Sequence, residues 1–282
     1  IKNHRSEFGV ERMCRVLGVA RSGFYSWLKR PDSARKQADA ALVERIKAAF
    51  KRSRELYGYL RITRELNSQG IRCGKNRVAR LMRENGLRVR SRRKFKATTN
   101  SKHSYPVAEN VLGRNFAPEG PNEAWACDIT YIPTDGGWLC LASVVDLYSR
   151  MAVGWAMNST MTHELALNAL NQAVLRRRPG PGLIHHSDRR SQYASHACQR
   201  RLRDLGFVSS MSRKGNPYDN ACAESFYHTL KVELVRLNRY RTRAEARQSV
   251  FEYIEVFYNR QRIHSANGYK GPCDYERATC AA

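Results

Sequence analysis

Apolar positions change their spacing twice along the chain. Between residues 10 and 87 they recur every three or four positions, from Trp125 they alternate, and beyond Thr162 the helical spacing returns in longer blocks. Met13, Val16 and Leu17 outline a short first helix, Gly18 breaks it, and Ala20 to Lys29 resumes with Phe24, Trp27 and Leu28 on one side. Helix, glycine turn and helix, with Arg21, Lys29 and Arg30 outward, is the outline of a helix-turn-helix, and Pro31-Asp32 ends it. A second block follows. Leu42, Val43, Ile46, Ala49 and Phe50 keep the helical period, Ile62–Ser68 forms another helix stopped by Gly70, and Lys75–Glu84 a third closed by Gly86. Arg77, Arg80 and Arg83 recur every three residues beside the apolar face of Val78, Leu81 and Met82, which predicts a basic stripe. The competing reading is an ordinary helical bundle with a basic surface.

Residues 88–124 lose the apolar period, are basic through Arg92, Arg93 and Lys94, and then carry Pro118, Gly120 and Pro121. They read as a linker or an arm that orders on a phosphate backbone. From Trp125 three β-rich runs follow, WACDITYIPT, WLCLASVVDLYS and RMAVGWAMNS, with Gly136-Gly137 as the hairpin turn between the first two. A helix from Thr162 to Arg177, a short strand LIHHSD, a helix over about Gln192–Leu205 and a strand FVSSMS come next. Two long helices, about Tyr218–Val235 and Arg243–Tyr258, complete the pattern. The order βββαβαβα predicts a mixed sheet with helices on its faces, the element order of the ribonuclease-H-like α/β fold, preceded by an all-α region. The expected division is 1–37 for the first helix-turn-helix-like segment, 38–90 for a DNA-binding helix-turn-helix-like domain, 91–121 for the basic linker and 122–282 for the core.

Charge sharpens this picture. The chain has 282 residues with 50 Lys+Arg against 25 Asp+Glu, a net charge of +25. Residues 1–100 hold +19 of it, which asks for a polyanion, and nucleic acid fits better than a membrane surface. The longest apolar run, Trp138–Val145, falls far short of the roughly 20 residues that span a bilayer. No signal-peptide pattern opens the chain, so a cytoplasmic location is expected. The eight cysteines form no CxxC pair and read as reduced thiols; their spacing, with the histidines, argues against structural zinc. His185 and His186 are adjacent on a strand and so point to opposite faces.

Three acids sit where structure alone does not ask for them. Asp128 lies mid-strand among Trp125, Ile129 and Ile132, Asp188 ends the strand LIHHSD, and Glu224 lies on a helix within DNACAESF. Carboxylates gathered in an apolar sheet repel one another unless a hard cation joins them. Mg²⁺, with Mn²⁺ able to substitute, suits such a set, and two ions about 3.5–4 Å apart would clamp the attacking and leaving oxygens of a phosphoryl transfer.

The runs WACDIT, HHSDRRSQY and NPYDNACAESFYHTLKVEL resemble the catalytic core of DDE transposases of the insertion-sequence-three type, relatives of retroviral integrases. Asp188 and Glu224 are separated by 35 residues, the spacing of that superfamily. Lys231, two helical turns after Glu224, stands where the family has a basic residue. The segment YNRQRIHSANGYKGPCDYE is similar to the family's closing segment, and residues 38–87 to its helix-turn-helix module. The resemblance implies a bacterial transposase, nucleoid-associated when bound, that performs metal-dependent cleavage and strand transfer on double-stranded DNA at element ends and targets. It implies Asp128, Asp188 and Glu224 as catalytic, metal-holding carboxylates and Lys231 as a DNA contact. It also implies a homo-oligomer on paired ends and an upstream-frame protein as a partner. Asn220 and His228, one turn either side of Glu224, flank the site; Asn220 reads equally as helix punctuation and His228 as a packed or solvated histidine.

Departures from the pattern define the rival reading. The family has Asp-Arg-Gly where Asp188-Arg189-Arg190 stands here, and arginine would cost roughly 1–2 kcal/mol if position 190 were left-handed. Asn267 occupies a position expected to be apolar, and Ile1 in place of Met reads as a fragment or a downstream frameshift product. A catalytically impaired half that binds element ends, or regulates transposition, is therefore the alternative. An RNA nuclease on the same fold fits less well, because helix-turn-helix modules read the DNA major groove. Asp146 rivals Asp128 but is expected to be structural, paired with Arg150.

Overall fold

The computed structural model describes residues 1–89 and 105–280. Helices α1 (Val10–Val16) and α2 (Arg21–Lys29) form the first pair, joined through Gly18 at φ +63°. Then α3 (Ala34–Arg52), α4 (Tyr59–Ser68) and α5 (Lys75–Glu84) follow. Ser33 caps α3, its hydroxyl accepting from the Lys36 N–H at 3.3 Å. Gly70 and Gly86 both take positive φ where α4 and α5 end, which is why the chain turns there.

Five strands make one sheet: β1 (Ala124–Thr134), β2 (Gly137–Asp146), β3 (Ala152–Asn158), β4 (Ile184–Ser187) and β5 (Val208–Met211), in the order β3-β2-β1-β4-β5. β1, β2 and β3 pair antiparallel, whereas β4 and β5 run parallel to β1. Crossovers run through α6 (His163–Arg177) and through α7 (Ser191–Ala194) with α8 (His196–Asp204). This is the ribonuclease-H-like arrangement expected. On one face Trp125, Cys127 and Ile129 pack with Leu165, Ala169 and Leu202 of the crossover helices. Gly154 lets α6 approach β3 closely, because a Cβ there would collide with the Ala169 carbonyl and the Ala173 side chain. The opposite face is covered by α9 (Ala221–Glu233) and α10 (Arg243–Glu252), and α11 (Pro272–Cys280) closes the described chain.

The helical module shares its core with that second face. Ile46, Ile62, Leu66 and Leu81 belong to the same buried cluster as Ile132, Leu141, Ile254 and Phe257. Arg54 pairs with Glu252 at 2.7 Å, and the Tyr57 hydroxyl accepts from the Ile263 N–H at 2.8 Å. The end of the expected linker is also packed. Leu112 is buried with Ala124, Ala126 and Leu147, and the Glu109 carbonyl accepts from Met211 N–H at the end of β5, 3.2 Å away.

Several expectations change in detail. The helix expected over Gln192–Leu205 breaks at Ser195, which turns extended and caps α8 by accepting from Cys198 N–H at 3.3 Å. The helix expected from Tyr218 opens as a 3₁₀ turn, Pro217–Asn220, before α9 starts. α10 widens into a π-helical turn at Tyr253–Tyr258. Asp146 is structural, but its charge faces Arg177 at 3.7 Å and not Arg150, while Asn122 and Tyr148 N–H groups donate to it. Arg150 reaches the Phe116 carbonyl instead, at 2.9 Å. Asn267 is buried because its amide donates to Ser149 O at 2.6 Å, a bond no apolar residue could make.

Candidate active site

The site is a consequence of sheet register. β1 and β4 are parallel with Cys127 opposite Ser187, so Asp128 on β1 and Asp188, the residue that follows the end of β4, come next side by side. Trp125, Cys127 and Ile129 face the crossover helices, so alternation turns Asp128 to the other face, with Ala124 and Ala126. There α9 packs, Ala223 against those alanines, and Glu224 follows it in the helix's first turn.

Two polar side chains fasten α9 to β1 on either side of Asp128. Asn220, buried just before the helix, donates from Nδ2 to Cys127 O at 3.2 Å. Tyr227 donates from its hydroxyl to Asp128 O at 2.5 Å and accepts from the Ser143 hydroxyl at 2.8 Å. Asn220 therefore positions the helix, and its side chain makes no capping bond within α9. Its Oδ1 is buried with no partner in the protein. His228 is exposed to solvent on α9.

Between the two aspartates lies Arg190. Its Nε is 2.7 Å from Asp188 Oδ2 without the alignment of a hydrogen bond, and its Nη1 is 3.8 Å from Asp128 Oδ1. Nη1 donates to Ile129 O at 2.7 Å, so the guanidinium spans from the β4 end to β1. The side chains are 15% (Arg190), 13% (Asp128) and 25% (Asp188) exposed, so these charges interact with little screening by water. Arg190 has φ −71° and ψ 149°, an ordinary extended conformation. The left-handed backbone cost considered from sequence does not arise; the departure from glycine acts through the side chain.

The electrostatics are those of crowded acids. Burial, then the Asp188 charge, push Asp128 up to about 7 against the opposing pull of Arg190 and the Ile129 N–H. Glu224 is exposed by area yet raised as well, by partial burial and by Asp188. Lys231, half-buried on α9, is lowered chiefly by burial, with the Asp128 charge acting in the opposite sense. Among the described residues no three His, Cys, Asp or Glu side chains stand gathered closely enough to hold a metal ion as they are. Asp128, Asp188 and Glu224 influence one another electrostatically, but the guanidinium, not a closed ligand shell, joins the two aspartates.

Asp219 is a second acid in the motif run, and it is structural. It is buried, accepts from Arg213 N–H, Nε and Nη2 at 2.9 Å and from Arg114 Nε at 2.8 Å, and is held well below the usual carboxylate range by Arg213 first. It ties the turn before α9 to residue 114. His185 and His186 are both buried, are lowered to about 4 chiefly by burial, and engage Cys127 Sγ and the Ser210 and Ser212 hydroxyls respectively.

The basic stripe on α5 is partly neutralised. Arg77 and Arg80 each meet an oxygen of Asp39 at 2.6 Å, and Arg80 also meets Glu84 at 3.0 Å, whereas Arg83 is exposed. Arg92, Arg93 and Lys94 lie outside the described residues. Tyr227, Asp219 and the placement of Arg190 were missed from sequence. The only signal for them was their place inside the motif runs.

The chain matches the HTH-like domain model over residues 36–95 and Integrase core domain models over 118–217 and 224–279. Fold, register and these matches define an integrase-core polynucleotidyl transferase. It is 44% identical to transposase InsF for insertion sequence IS3A of Escherichia coli (strain K12), over 100% of this chain and 98% of that one. It is 49% identical to an insertion element IS600 uncharacterized 31 kDa protein of Shigella sonnei, over 93% and 97% respectively. The chain belongs to the transposase family of the IS3 insertion sequences. Among solved structures, a simian T-cell lymphotropic virus intasome in complex with PP2A regulatory subunit B56 gamma aligns with TM-score 0.48 and 17% identity, over 76% of this chain and 70% of that one.

Proposed function

We propose that Asp128, Asp188 and Glu224 are the catalytic carboxylates of this transposase and hold its divalent cations, Mg²⁺ with Mn²⁺ as a substitute, as a pair of ions. One observation carries the reading: the Cys127–Ser187 register sets Asp128 beside Asp188 on the face that α9 covers, with Glu224 in that helix's first turn. The donor set fits a hard cation, being carboxylate oxygen throughout, and the aspartate pair already draws a guanidinium to itself. A divalent cation bound there supplies Lewis-acid activation of the attacking water or 3′-hydroxyl and neutralises charge at the phosphate.

The chain's own groups supply position. Tyr227 and Asn220 hold the Glu224 helix to the Asp128 strand, and Lys231 meets the phosphate backbone near the scissile bond. Hydrolysis at the element's end frees a 3′-hydroxyl, which attacks a second phosphodiester and displaces that strand's 3′-oxygen as the leaving group, with no covalent protein intermediate. By family resemblance the first joining links one end to the other, toward a circular intermediate. Element ends and target are the DNA substrates, α3–α5 with Arg83 foremost grip the duplex, and two ends require a homo-oligomer. An upstream-frame product is the protein partner. Among the described residues no helix is long and apolar enough to cross a membrane.

The test is a paired-end substrate with and without Mg²⁺. Joined ends should form only with metal and vanish in Glu224→Gln; joining undiminished in that variant would remove Glu224 from the site. Arg190 favours one second reading, a chain that binds ends but is impaired in chemistry, and its contact with the aspartates leads further.

A further inference from the structure

We propose that Arg190 is an internal counter-cation that occupies the place between Asp128 and Asp188, so a divalent ion can bind only by displacing it. The proposal rests on the reading of those aspartates as metal ligands. The guanidinium stands 2.7 Å from an Asp188 oxygen and 3.8 Å from an Asp128 oxygen, and Nη1 is anchored on Ile129 O. The carboxylate oxygens facing Arg190 are donors that a cation held by the pair would draw on. Guanidinium is charged at every accessible pH, so it cannot step aside by losing a proton. The guanidinium competes with an incoming divalent ion for the same carboxylates, and charge repulsion between the two in a weakly screened pocket adds to the loss of ligand oxygens.

Nothing in the backbone requires this side chain. With φ −71° and ψ 149°, position 190 has no need of glycine or of arginine, and a small side chain there would keep the N–H bond to Asp188 Oδ1 at 3.1 Å while removing the guanidinium from between the two aspartates. Arg190 thus neutralises the acids in the metal-free protein, and metal must compete with a tethered rival. Apparent metal affinity is then the intrinsic affinity reduced by the fraction of molecules in which the guanidinium is already out.

Mn²⁺ titrated calorimetrically into the full chain tests the exchange, with Arg190→Ala and Arg190→Gln beside the wild type. Glutamine keeps much of the bulk without the charge. Both variants should bind Mn²⁺ at least tenfold more tightly than wild type, and adding Asp188→Asn to Arg190→Ala should remove the gain. Affinity within twofold of wild type in both variants overturns the competition. Tightening in Arg190→Ala alone makes bulk the obstacle and overturns the exchange of one cation for another. A gain that survives Asp188→Asn places the ion elsewhere and overturns the underlying reading of the site instead.

Discussion

The hydroxyl of Tyr227 on α9 donates to the backbone carbonyl of Asp128 on β1 at 2.5 Å, so the helix carrying Glu224 is pinned to the strand carrying the first aspartate. Ser143 on β2 donates to the same hydroxyl at 2.8 Å, which aims it. Tyr227→Phe keeps the packing and deletes the bond. It should cost about 1–2 kcal/mol of stability, since it leaves the buried carbonyl and hydroxyl unpaired. A misplacement of Glu224 by even about 1 Å should lower strand transfer on the order of 100-fold. Gel retardation of element-end DNA should be unchanged, and equal loss of binding and joining would instead mean general damage.

Asp128 carries a charge that costs the fold stability. Its carboxyl is pushed up to about 7 by burial and by Asp188, whereas the unfolded chain's aspartates titrate near about 3.9. The folded protein therefore binds this proton more tightly, and stability falls as pH rises through that interval. Asp128→Asn should melt higher than wild type at pH 8, by on the order of 2–4 °C, with the gain disappearing near pH 4. It should also abolish joining. Calorimetric melts across pH check it, and a lower melting temperature at pH 8 would contradict it.

Glu233 joins the helical module to the core. Its carboxylate is bidentate to Arg262 at 2.8 Å, meets Arg61 of α4 at 3.6 Å, and accepts from Tyr253. Arg262 and Glu233 are only 5% and 9% exposed, so removing the acid strands a buried guanidinium. Glu233→Ala should cost about 3–5 kcal/mol, read from denaturant unfolding. A loss below about 1 kcal/mol would show the pair to be effectively solvent-exposed.

Arg83 and Asp39 separate the free charge on α5 from the neutralised charge. Log affinity for end DNA should fall with log salt, and Arg83→Ala should reduce that slope by about 0.9, one phosphate contact. Asp39→Asn releases Arg77 and Arg80 and should tighten binding while steepening the slope. Filter binding at several salt concentrations decides it; an unchanged slope in Arg83→Ala would move the grip off this helix.

Most of the architecture was legible because burial writes a period into the chain. Trp125, Cys127 and Ile129 alternate with Asp128, and that alternation both marked the strand and made a mid-strand acid conspicuous. The turn glycines at 18, 70 and 86 worked because positive φ excludes most other residues. Register was not legible: nothing local states that Cys127 lies opposite Ser187, and the site depends on it. Ser195 looked like a helix interior and acts as a cap, and α11 has few buried positions to reveal it. The α5 arginines formed a stripe by spacing, but Asp39 sits 38 residues from Arg77, beyond any local pattern. Arg190 was visible as a missing glycine; that its guanidinium would sit between the two aspartates required three dimensions.

Joining of paired element ends at saturating Mn²⁺, run beside gel retardation of the same DNA, tests the three-carboxylate site most directly. Wild type should yield joined product, whereas Asp128→Asn, Asp188→Asn and Glu224→Gln should each lower it by at least about 10³-fold with end binding intact, as expected for groups that act on the transition state. Product undiminished in any one of the three would contradict the assignment.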